Sequence, residues 1–82
     1  MYYTEERLIS SPKAVAVTPS DSTNLSFDAR ALYVGTGGNV VVVFPDNSTV
    51  TFTNVQSGSI LPVIAKRVNS TSTTASNIVA LY

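Results

Sequence analysis

The chain has 82 residues, no cysteine and no histidine, and five Lys+Arg against five Asp+Glu. Within these residues that excludes disulfides, cysteine or histidine metal sites and catalysis through a histidine base. Charged residues make up 12%, against about 25% in an average domain, with none of the basic excess that marks a nucleic-acid binder. One small domain buries a marginal core, and zero net charge favours association, so oligomerisation is the expected route to stability.

Twelve Val, eleven Ser and ten Thr, with few straight-chain helix formers, favour strands. Residues 1–12 read as an extended N-terminal arm ending at Ser10-Ser11-Pro12. Its Tyr2, Tyr3, Leu8 and Ile9 are adhesive for a free tail and are expected to dock on a neighbour. The arm has neither the positive start nor the apolar run of a signal peptide. The single β-domain is expected over 13–82. KAVAVT (13–18) reads as the first strand, and Pro19 to Asn24 as a loop whose side chains bond their own backbone. RALYV (30–34) is the second strand. Gly35-Thr36-Gly37-Gly38 is read as a hairpin turn leading to NVVVVF (39–44), the third.

Pro45-Asp46-Asn47-Ser48 is a further hairpin turn. TVTFTNV (49–55) follows as the fourth strand, with Val50, Phe52 and Asn54 on one face and Thr49, Thr51, Thr53 and Val55 on the other. After Gln56 to Ser59, ILPVIAKRV (60–68) reads as a fifth strand, with Pro62 at an edge, a start or a bulge. A polar loop (69–76) precedes the last strand, NIVALY (77–82). About six short strands with turns every 8–12 residues give an all-β, small antiparallel β-sandwich or barrel of jelly-roll type. The longest apolar run, Val40 to Phe44, falls far short of the roughly 20 residues of a membrane span. Val40 to Val43 are apolar on both faces, so a neighbouring subunit is expected to cover the second face. The apolar C-terminal strand suggests the same.

No catalytic constellation emerges. Gly35 to Gly38 precede a strand, whereas a phosphate-cradling loop precedes a helix. Asp21, Asn24 and Asp28 lack calcium-loop spacing and serve better as turn caps. Asp28 and Asp46 have no aromatic cleft to make them a glycosidase pair. No metal or cofactor is expected. Lys66-Arg67 is the one basic pair, either a solvated strand end or an interface to an acidic partner. Arg30 is expected to form a local ion pair with Asp28 or a subunit contact.

Several runs carry a resemblance: Pro19-Ser20-Asp21, ARALYVG (29–35), Gly38-Asn39-Val40, Val50-Thr51-Phe52, Ile60-Leu61-Pro62-Val63, Lys66-Arg67-Val68 and the ending IVALY (78–82). Over residues 13–82 the chain resembles a family of small tailed-phage structural proteins that includes the gene transfer agent head spike base. That resemblance implies a non-enzymatic virion protein on the capsid exterior, assembled in the bacterial host cytoplasm. It would form a homopentameric ring on fivefold vertices, binding the major capsid protein below and a spike fibre above. It brings no catalytic residues. Alternatives are a trimeric capsid cement protein, a tail or connector component or, in a different class, a carbohydrate-binding β-module, which four Tyr, three Phe and no Trp make a poorer fit.

Overall fold

The structure, a computed structural model, describes residues 13–82, so the expected arm with Tyr2, Tyr3, Leu8 and Ile9 lies outside the described residues. Among those residues there is no helix. The strands are β1 (Ala14–Ala16), β2 (Ala31–Thr36), β3 (Gly38–Val43), β4 (Thr49–Val55), β5 (Ser59–Leu61), β6 (Arg67–Val68) and β7 (Ser76–Leu81). They form two antiparallel sheets, β1-β7-β2-β5 and β4-β3-β6, packed as a small β-sandwich.

One long two-stranded ribbon organises both sheets. Only Gly37 separates β2 from β3, too little chain for a hairpin loop, which takes about two residues at the shortest. Leu32 faces Leu61, Val34 faces Ser59 and Gly38 faces Val55 in one register, which shifts between Gly38 and Val40. The ribbon is therefore creased, with β2 and β5 in one sheet and β3 and β4 in the other. This corrects the expected hairpin at Gly35 to Gly38. A Cβ on Gly37 would stand 2.4 Å from the Val55 carbonyl oxygen. Glycine is needed there for close backbone approach, not for chain reversal.

The far end of the ribbon closes at the expected turn. Phe44 N–H donates to Ser48 O (2.8 Å), Asn47 N–H donates to Phe44 O (2.8 Å), and Asn47 takes a φ of 70°. Asp46 Oδ1 accepts from the Ser48 N–H (3.0 Å) and hydroxyl (2.6 Å). Along β4, Asn54 at φ 57° marks the register shift. That irregularity turns Val55 onto the core, away from the face it was expected to share with Thr49.

The expected fifth strand over 60–68 is two strands in two sheets. Pro62 has no N–H to extend β5, and Val63 N–H turns back to Leu61 O (2.9 Å). The chain then crosses between sheets, anchored by buried Ala65, which exchanges both backbone bonds with buried Ala29 (2.9 and 3.0 Å). That gives seven strands in place of about six.

The core joins Leu32, Val34, Ile78 and Ala80 of one sheet to Val40, Val42 and Val68 of the other. Two grounds for expecting assembly are also corrected. Val41 and Val43 are only 5% and 3% exposed within the chain itself. Residues 69–75 run along β3: Asn69 N–H donates to Val41 O (3.0 Å), Val41 N–H to the Thr73 hydroxyl (3.0 Å), and Thr74 N–H to Asn39 O (2.9 Å). The C-terminal strand is no free apolar edge either. It lies between β1 and β2, with Ile78 and Ala80 buried.

Candidate interaction surface

Directly opposed residues in an antiparallel ladder point to one face. Val15, Ala80, Leu32 and Leu61 form a row on the inner face of the four-stranded sheet. The next row, Ala16, Val79, Tyr33 and Ile60, therefore faces outward. Beside it lies the row Ala14, Leu81 and Ala31, of which Ala31 is buried. The face across these rows is apolar and carries no charge. Tyr33 is 38% and Ile60 45% exposed, with Val79 and Leu81 half-buried. On the opposite sheet, outward Thr49 and Thr51 make β4 polar. An uncharged apolar face of this kind is a candidate contact surface.

The basic pair is engaged within the chain. Lys66 Nζ donates to the Asn47 side-chain oxygen at the ribbon turn. Arg67 Nε donates to Asn69 Oδ1 (2.9 Å), and its other branch reaches Asn24 Oδ1 (3.2 Å). Both residues are half-buried, and their side chains tie loops together. Arg30 and Asp28 are exposed, and no ion pair joins them among the described residues. Arg30 N–H bonds Leu81 O (2.8 Å), which fixes its backbone where β2 begins.

The carboxylates are likewise turn groups. Asp21 accepts from the N–H groups of Ser70 and Thr71 (both 3.0 Å) and from the Thr71 hydroxyl, clasping the loop after β1 to the loop after β6. The Thr71 hydroxyl, followed by the Thr71 N–H, holds the Asp21 carboxyl below the usual carboxylate range. Ser48 does the same for Asp46. Among the described residues no three His, Cys, Asp or Glu side chains gather into a metal-binding group. At one end of the sandwich Phe27 meets Tyr82 edge-on (centroids 6.3 Å apart), with the Lys13 ammonium 5.7 Å and 6.0 Å from the two rings.

No family model and no curated protein matches the chain. A solved structure does. It is a chain in the capsid of a native gene transfer agent particle, a reconstruction computed with C5 symmetry. The two are 44% identical with a TM-score of 0.82, over 89% of this chain and 84% of that one. The chain belongs to this gene transfer agent capsid family. In this capsid-family chain the runs ARALYVG and IVALY are neighbours, since β2 and β7 pair from Ala31–Leu81 to Thr36–Ser76. The outward apolar row comes largely from these two strands. The sequence signal for it is the apolar residues Tyr33, Val79 and Leu81 at positions where a half-buried strand would carry polar ones.

Proposed function

We propose that the protein is a structural subunit on the exterior of a phage-like particle, a vertex decoration or head spike base without enzymatic activity. Five copies would stand in a ring on each fivefold vertex, bound to the major capsid protein below and holding a spike fibre above. The observation that carries this reading is the 44% identity, over nearly the whole chain, to a component of a capsid reconstructed with C5 symmetry. The physical features are compatible with it. A vertex subunit needs a stiff, low-charge scaffold and a contact face, and many copies on one shell make weak contacts collectively strong.

The test is add-back of labelled chain to particles assembled without it. Saturation at five copies per vertex is expected, with reduced occupancy for a variant lacking residues 1–10, whose Tyr2, Tyr3, Leu8 and Ile9 would dock on the capsid or a neighbour. Saturation at three copies between capsomers would mean a cement protein, and binding confined to the tail a connector component. No binding to particles would overturn the reading, and unchanged occupancy of the shortened variant would overturn the docking role of the arm.

A further inference from the structure

Among the described residues four strands border the two sheets; one border is closed from within, and another is cut short by proline. β6 is covered by the segment after β1, where Ser20 N–H donates to Val68 O (2.9 Å) and Leu25 N–H to Lys66 O (3.0 Å). β5 offers one residue, Ile60, whose N–H and C=O aim away from β2, and the next outward position is Pro62, which has no N–H. Among the described residues that leaves β4 and β1 as the longer open edges.

The direction of their backbone groups follows from the bonds around them. Val41 O and Val43 O accept from Asn69 and Lys66 N–H, on the β6 side. The residues opposite them on β4, Thr51 and Thr49, therefore aim N–H and C=O away from β3. At the other border, Tyr82 N–H donates to Lys13 O and Val17 N–H to Ile78 O. Residues 13, 15 and 17 thus face β7, and Ala14 and Ala16 aim their backbone groups outward. Natural edges are usually guarded by lysine or proline. Here the strands read AVA and TVTFTNV, with neither lysine nor proline within them, and a register shift near Asn54 interrupts β4.

A second observation points the same way. Val15 and Val50 lie on the inner faces, opposite fully buried Ala80 and Val42, yet each is 43% exposed. Each open edge thus leaves a core-facing valine uncovered. The two edges also lie at opposite ends of the strand order. β4 and β5 flank one side of the β2–β3 strand of the ribbon, while β6 and β7 flank the other, with β1 beyond β7.

This inference rests on the ring reading above. A closed ring of more than two subunits joins two different patches, one on each neighbour, and the described residues leave two different strand edges, β4 and β1, open. We propose that the β4 edge of one copy receives the β1 edge of the next. Backbone bonds then run between Thr49 and Thr51 on one side and Ala14 and Ala16 on the other, and Val15 and Val50 are covered at the seam.

Proline substitution tests it, because Thr51→Pro and Ala14→Pro each remove an outward N–H and spare the bonds to β3 and β7. Neither variant alone should form rings by native mass measurement. Mixed in equal amounts they should give a heterodimer and nothing larger, since one retains β1 and the other β4. Hydrogen exchange on the unmodified protein keeps the test independent of variant folding. On ring formation the amides of Ala14, Ala16, Thr49 and Thr51 should slow at least about tenfold. Normal rings from either variant, or unchanged exchange at those amides within rings, would overturn the edge pairing and leave the ring reading standing. Dimers of Ala14→Pro beside monomeric Thr51→Pro would mean β4-to-β4 pairing and also overturn it. A protein that forms no ring, free or on particles, overturns both.

Discussion

Replacing Gly37 by alanine probes the crease that distributes the ribbon between two sheets. The added Cβ would lie 2.4 Å from Val55 O, 2.9 Å from Ser57 N and 3.2 Å from Gln56 C. All three are backbone atoms at the end of β4 and in the turn that follows it, so no side chain can swing aside. Gly37 N–H also donates to the Ser57 hydroxyl (2.8 Å), which pins the two strands at that point. Relief requires the strands to part, at a cost typical of overpacking, about 1–3 kcal/mol. For a domain of this size that lowers the melting temperature by roughly 4–8 °C per kcal/mol. Gly58→Ala is the control: the position has a φ of 80°, but its Cβ would meet only the Tyr33 hydroxyl, at 3.9 Å. It carries only the left-handed backbone cost of about 1–2 kcal/mol. Thermal and urea unfolding of both variants measures the difference. A Gly37→Ala protein within about 0.5 kcal/mol of the parent, the range of ordinary surface substitutions, would refute the crease.

Three further outcomes follow from the same structure. Because Asp21 has a lowered pKa when folded, its contribution is present above the unfolded carboxylate value, near 3.9, and is lost as pH falls through the folded value. The melting temperature of Asp21→Asn should therefore fall less steeply with acidification below about pH 4, and an equal slope would count against the clasp. Leu32→Ala deletes a fully buried side chain at the sheet centre and should cost about 2–5 kcal/mol in chemical unfolding. Ile60→Asp, on the outward apolar row, should change monomer stability by no more than about 0.5 kcal/mol yet abolish incorporation into particles. Normal incorporation would remove that face from the contact.

Much of the architecture could be read from residue alternation. TVTFTNV has the bounds expected, and the turn at Pro45 to Ser48 forms as its residue types dictate. What escaped were features set by distant chain. A glycine cluster between two apolar runs suits a hairpin or a crease equally, and only the β5 partner across from β2 decides between them. Pro62 signalled an interruption, but not that the chain would change sheets there. Buried Val41 is bonded along its edge by the segment 69–75, which composition reads merely as a polar loop, and buried Val43 lies between Thr49 and Arg67 of the neighbouring strands. The interaction surface was partly legible for a similar reason. Lys66 and Arg67 stood out as charges, but their partners Asn47, Asn24 and Asn69 come from separate turns. The outward row Ala16, Val79, Tyr33 and Ile60 exists only once four strands are in register.

Localised reconstruction of the fivefold vertices of native particles, computed with and without imposed symmetry, addresses the central claim most directly. Five copies of this sandwich ringing each vertex axis and touching the major shell are the expected result. Vertices bare of it, or its density found only elsewhere on the particle, would contradict the account.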